Sequence, residues 1–134
     1  MKDGRLAERA DLRRRGAFFN LAKIGFPVGA VASFLHRVSG VLLLFGLPLL
    51  VYLFHCSLAG PTEFAALAMY ARAPWVRVLA LVPVWALSHH VLAGVRHLLM
   101  DGGVGWQLQV ARRSAWLVNS GAIVLTLFVA SRVL

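Results

Sequence analysis

Three long apolar stretches constrain this chain more than any other feature. They run from about Val28 to Phe54, from about Val76 to Met100 and from about Ala115 to Leu134. A bilayer core of roughly 30 Å needs about 20 helical residues to cross it, so each stretch is long enough to span. A span surrounded by lipid must satisfy its own backbone hydrogen bonds, which leaves the α-helix as the workable conformation. The expected fold is therefore an all-α membrane protein. It has three transmembrane helices and a basic, partly amphipathic N-terminal segment, organised as one membrane-anchor domain over residues 1–134.

Composition supports this reading. The chain is 60% apolar and 14% charged, whereas a soluble domain carries about 25% charged residues. A formal charge of +9 raises the question of nucleic acid, but the basic residues are not spread along a polar face. Seven of the fourteen (Lys2, Arg5, Arg9, Arg13, Arg14, Arg15 and Lys23) precede residue 26, as in a basic cytoplasmic flank. No nucleic-acid-binding module accompanies them, so nucleic acid is not expected as a partner. The single cysteine, Cys56, permits no intrachain disulfide and reads as a small apolar filler. The first apolar run is too long for a signal-peptide core, so the first span is expected to act as an uncleaved anchor.

Breaks and flanks organise the spans. Gly60-Pro61 ends the first and Asp101-Gly102-Gly103 ends the second, while Pro48 and Pro83 fall inside spans. In a membrane such prolines kink a helix without ending it. Residues 62–73 are expected to form a short surface helix with Thr62 as N-cap and Glu63 in its first turn. Arg112 and Arg113 follow the second span. The loop after the first carries Arg72, with Arg77 just inside the next span, and Arg132 is alone near the C-terminus. The positive-inside rule then puts the N-terminus and the 101–113 loop in the cytoplasm, with the 56–75 loop and the C-terminus outside. Trp75, Trp106 and Trp116 fall near the expected boundaries, where interfacial aromatics belong. Residues 6–24 mix Leu and Phe with Arg and Lys, as an amphipathic segment lying on the inner interface would.

Polar residues inside the spans carry the chemistry. One cluster is Ser33-Phe34-Leu35-His36-Arg37-Val38-Ser39-Gly40, and the other is Ser88-His89-His90-Val91-Leu92-Ala93-Gly94-Val95-Arg96-His97. A centrally placed Arg costs on the order of 2.5–3.5 kcal/mol to insert, so such groups rarely lack a buried partner. Counting from the cytoplasmic ends, His36 and Arg37 lie about 15 Å deep, His90 about 16 Å and His97 about 6 Å. The two clusters are therefore level with one another, as a shared site requires. His90, Gly94, His97 and Asp101 share one helical stripe, and Ser33, Arg37 and Gly40 share another, with His36 at its edge. Gly94 leaves room beside His90 for a flat ring to approach the backbone. His89 faces away from that stripe, towards a neighbouring helix. His97 and Arg96 are shallow enough to snorkel, and His55 is expected to be structural or snorkelling near the outer interface.

The acidic residues, Asp3, Glu8, Asp11, Glu63 and Asp101, supply no carboxylate pair inside the membrane, which weakens a proton-pump or transporter reading. There is no nucleophile–base arrangement, phosphate loop or thiolate metal set. Imidazole at this depth is a common haem ligand. Cationic groups towards the cytoplasmic side suit haem propionates, and Ser33 and Arg37 suit a quinone carbonyl.

Together, the Ser33–Gly40 segment and His90-x-x-x-Gly94-x-Arg96-His97-x-x-x-Asp101 resemble the cytochrome b556 subunit of succinate dehydrogenase (succinate:quinone oxidoreductase, complex II). The resemblance extends from about Asn20 to Arg113, with both motifs in order on the expected spans. It implies that His90 is the axial ligand of haem b, with His89 as second choice. It further implies that His36 and His97 are propionate or haem-edge contacts, that Gly94 lines the haem, and that Ser33 and Arg37 bind quinone. The implied cofactors are haem b and, as substrate, ubiquinone or another quinone. The implied partners are a second membrane anchor subunit supplying the other haem ligand, an iron–sulfur subunit and a flavoprotein, besides membrane lipid. The implied location is the bacterial inner membrane. On this reading the chain belongs to an enzyme complex but catalyses nothing alone. It departs from the family where Ala17-Phe18-Phe19 replaces a common Arg-Pro pair, and where His89 stands in place of a tyrosine. The competing readings are a stand-alone b-type cytochrome with haem held between His36 and His90, a fumarate reductase anchor, and a small structural or transport protein without haem.

Overall fold

The computed structural model describes residues 27–134; the basic, partly amphipathic N-terminal segment lies outside the described residues. Four helices follow in order: α1 (Val28–Ser57), α2 (Pro61–Ala71), α3 (Pro74–Asp101) and α4 (Leu108–Val133). Three of them, α1, α3 and α4, are long and apolar enough to cross a membrane. Their outward faces expose residues such as Phe34, Leu44, Phe45, Val91, Leu117 and Phe128. In water such a surface would aggregate. In a bilayer it is the solvent-matched side.

The helices run longer than the apolar stretches because their polar ends continue the same backbone ladder. The largest difference is at α4, which starts at Leu108 instead of Ala115, so Trp116 lies within the helix. Both prolines are accommodated: α1 passes through Pro48 and α3 through Pro83. The short helix α2 is present, but Thr62 is not its cap. Gly60 occupies the N-cap and Pro61 starts the helix, where a missing N–H costs nothing, and Glu63 sits in the first turn as expected. The turn from α3 to α4 needs backbone that side chains resist, with Gly103 at φ 81° and Gly105 at φ 76°.

The core is made of small residues. Ala32, Ser39, Ala86, Ala93, Ala115 and Ala122 are fully buried where α1, α3 and α4 meet. Lipid tails are as apolar as leucine, so helices in a membrane gain by bringing backbones close, and small residues permit that. At Gly121 a Cβ would come within 3.3 Å of Leu92 Cδ1, so α4 rests tightly on α3 there. At the far end Arg77 Nη1 donates to the Val133 carbonyl at 3.4 Å, joining the start of α3 to the end of α4. Beside Leu43 and Val118, two large polar side chains, His89 and Arg96, are buried in this core.

Candidate functional site

Along α1, Ser33, His36 and Gly40 fall on one helical face, and along α3, His90, Gly94 and His97 do the same. The structure brings these two faces together. The His36 ring lies between the other two imidazoles, its centroid 4.2 Å from that of His90 at an interplanar angle of 23°. On its other side His97 stands 5.0 Å away at 24°. The three rings thus form a stack in the order His97, His36, His90. The level placement of His36 and His90, expected from counting residues, corresponds to direct contact between their rings.

Each outer ring is fixed by the hydrogen bonds of its Nδ1. His90 Nδ1–H donates to the His36 carbonyl at 3.2 Å, with Ser39 Oγ beside it at 3.3 Å. Ser39 Oγ–H in turn donates to the same carbonyl at 2.9 Å. A carbonyl accepts only, so this geometry puts the hydrogen on Nδ1 and a lone pair on Nε2. Among the described residues Nε2 of His90 has no hydrogen-bond partner, and it is not sealed inside the bundle. His97 Nδ1–H donates to the Ala93 carbonyl at 2.7 Å, and its Nε2 accepts from Ser33 Oγ–H at 3.1 Å. The Ser33 hydroxyl hydrogen is therefore engaged within the chain, and only its lone pairs remain for another molecule.

Close approach depends on two glycines. A Cβ on Gly40 would stand 3.0 Å from His90 Cε1, tighter than ordinary contact, so the bare backbone at Gly40 is what admits the His90 ring. The ring over Gly94 is that of His36, whose Nε2 would lie 3.6 Å from an added Cβ. The ring over Gly94 is thus one of the chain's own imidazoles, and Gly40 makes the tighter fit.

Other residues lie where the sequence left less to go on. His89 faces α4, with Nε2–H donating to Asn119 Oδ1 at 3.1 Å; its Nδ1 is buried without a partner, and Trp85 lies tilted 5.6 Å away. Arg96 does not snorkel. It is buried, with Nε donating to Ser114 Oγ at 3.1 Å and Nη2 to the Ala111 carbonyl at 3.3 Å. Asp101 closes α3 exposed, away from the imidazoles' packing. Arg37 is exposed on α1, nine residues into the helix or about 14 Å along it, with no hydrogen bond or ion pair among the described residues. Asn119 and Ser114 escaped the sequence reading. Asn119 carried a signal, since an amide inside an apolar span is apt to hydrogen-bond across helices, whereas Ser114 lay just outside the expected span.

Among the described residues no group of three or more His, Cys, Asp or Glu is placed to hold a metal ion. The arrangement presents one available imidazole nitrogen on a face lined by further imidazoles, with the exposed Arg37 one residue along α1 from His36.

Comparison with known proteins bears on the chain as a whole. The family described as the succinate dehydrogenase/fumarate reductase transmembrane subunit matches residues 11–129. The chain is 32% identical over 100 residues to the succinate dehydrogenase cytochrome b556 subunit of Paracoccus denitrificans, covering 74% of this chain and 76% of that one. It is 33% identical over 106 residues to the same-named subunit of Coxiella burnetii, covering 78% and 85%. A third such subunit, from Rickettsia conorii, is 25% identical over 99 residues. Three membrane-length helices and a match over nearly the whole chain establish that this protein belongs to the family of succinate dehydrogenase/fumarate reductase transmembrane subunits.

Proposed function

We propose that this chain anchors a succinate dehydrogenase in the bacterial inner membrane, binds haem b through His90, and contributes Arg37 to a quinone site, which Ser33 joins by turning its hydroxyl hydrogen from His97 to a quinone carbonyl. The observation that carries the reading is the His90 imidazole, whose Nδ1–H is held by the His36 carbonyl while Nε2 remains available. Metal-bound histidines usually donate their other ring nitrogen in this way, which fixes ring direction and makes the ligating nitrogen more basic. The donor set therefore fits a porphyrin iron. Haem, when bound, supplies one-electron chemistry that no side chain here provides.

The chain's own residues bind and orient. Ser39 and the His36 carbonyl aim the His90 ring, and Gly40 gives it space. His36 and His97 line the same face; His36 suits a carboxylate group at the haem edge, whereas His97 has its Nδ1–H committed to the Ala93 carbonyl and its Nε2 to Ser33. Arg37 needs an anionic or carbonyl partner, because an exposed guanidinium at this depth is costly in lipid alone. Both a quinone carbonyl and a propionate meet that need. His36 and His90 are stacked face to face, not set on opposite sides of a porphyrin-wide gap. That favours a second iron ligand from a companion anchor subunit over a haem held within this chain. The flavoprotein and iron–sulfur subunits would dock on the cytoplasmic side, where the positive-inside rule places the N-terminus and the α3–α4 loop. Succinate is oxidised there, and quinone is reduced in the membrane.

The test is an absorbance spectrum of the complex purified in detergent, which should show a low-spin b-type haem. This chain purified alone should lose it. A colourless complex would sink the reading, and stable six-coordinate haem in the lone chain would favour the single-subunit cytochrome. A further expected outcome concerns Gly40→Val. Its branched side chain must push into the space of the His90 ring, so haem affinity should fall on the order of 10- to 100-fold, the range seen when the support of a metal ligand is disturbed. Titrating haem into the depleted variant complex measures this.

A further inference from the structure

The helix α3 carries its polar residues as adjacent pairs, His89 with His90 and Arg96 with His97. Seven residues separate the pairs, so they lie almost directly above one another, and within each pair the members diverge by about 100°. The first member of each pair faces α4 and the second faces α1. His89 (1% exposed) bonds Asn119, and Arg96 (8% exposed) bonds Ser114 and the Ala111 carbonyl. His90 bonds the α1 carbonyl of His36, and His97 bonds Ser33.

The α4-facing side of α3 also carries Ala86 and Ala93, both fully buried, and Leu92, which meets Gly121. Such a mostly small-residue seam brings helices close, with Leu92 as a large apolar knob across it. Hydrogen bonds across the seam add to what shape supplies. The His89 imidazole is also a poor filler, because its Nδ1 is buried and unpartnered, which a purely apolar ring would avoid. The bond made by its Nε2 is the feature an apolar ring could not replace.

We infer that the His89–Asn119 hydrogen bond is a rotational lock on α3 that aims the neighbouring His90 ring, which makes His89 and Asn119 positioning residues for the haem ligand. The inference rests on the reading of His90 as that ligand. Side-chain atoms lie about 6 Å from a helix axis, so a rotation of about 10° moves them by about 1 Å. Ligating groups must be held within about 0.5 Å of their working geometry. Loosening this lock therefore reaches the iron without removing any iron ligand.

The experiment uses the assembled complex carrying Asn119→Leu, His89→Leu or His89→Gln, beside His90→Ala. The readouts are the electron paramagnetic resonance g values of the oxidised haem and the rate of haem loss to an excess of apo-haem acceptor protein. Asn119→Leu and His89→Leu should shift the g values and speed haem loss on the order of tenfold, the lower end for disturbed ligand supports. His89→Gln places an N–H where Nε2–H was and should restore both towards the parent complex. If Asn119→Leu does not assemble, Asn119→Ser carries the same expectation, its hydroxyl being too short to accept the bond. Parent-like g values and haem loss in these variants, or no difference between His89→Gln and His89→Leu, overturn the lock. If His90→Ala keeps the parent spectrum, the haem assignment itself has failed, and the lock with it.

Discussion

His90→Ala is expected to abolish the low-spin haem signal of the complex. On the proposed ligation one of two axial bonds would be lost, and with it the low-spin state that two imidazoles would maintain. The substitution also removes the donor to the His36 carbonyl and vacates the face of the His36 ring. Haem that remains should be high-spin, recognisable by the position and breadth of its Soret band, or should be lost on purification. A normal low-spin spectrum would show that another residue ligates. His89 is poorly placed to substitute, because its ring lies between α3 and α4 with Nε2 committed to Asn119. The protein fold should survive, since His90 is only partly buried and the alanine-lined helix contacts are untouched.

Arg37→Leu is the second large effect. A hydrogen bond to a charged group is worth about 1.5–3 kcal/mol. Loss of the guanidinium from a quinone carbonyl should therefore lower quinone reduction by about 10- to 100-fold. Succinate oxidation measured with a soluble dye should persist, because it depends on chemistry outside the membrane. The split between the two assays distinguishes a quinone-site defect from failed assembly, in which both activities fall together. Leucine is also cheaper to place in lipid than arginine, so membrane insertion should not suffer. Unchanged quinone reduction would remove Arg37 from the site.

What the sequence could and could not foretell follows from the physics of each signal. Spans are written in long apolar runs, and α1, α3 and α4 appeared where hydropathy put them, with ends extended by polar turns that a hydropathy pattern does not register. Depth is also legible, because the rise per residue is constant, and the level placement of His36 and His90 became a stacked pair. The direction in which a side chain points is harder. Neighbours such as Arg96 and His97 differ by about 100°, yet both look like shallow basic residues able to snorkel, and only the position of α4 separates the buried one from the other. Partners on a third helix were harder still. Asn119 gains meaning only once α4 is packed against α3 at the depth of His89. Ser33 illustrates the reverse: its expected role faced outward, while its hydroxyl hydrogen is taken up by His97.

The exposure of Arg37 on α1 has a consequence for how such a subunit is made. During synthesis each hydrophobic segment passes from the translocon into lipid before companion chains are at hand. The arginine opposes that step by roughly 2.5–3.5 kcal/mol, while each Leu, Ile, Phe or Val near the centre of a span favours it by roughly 0.3–0.6 kcal/mol. The run from Val41 to Phe54 is dense in such residues, so α1 outweighs its own cation and integrates unaided. Before assembly that guanidinium would face lipid unneutralised, so a companion chain or ligand that covers it gains what lipid withholds.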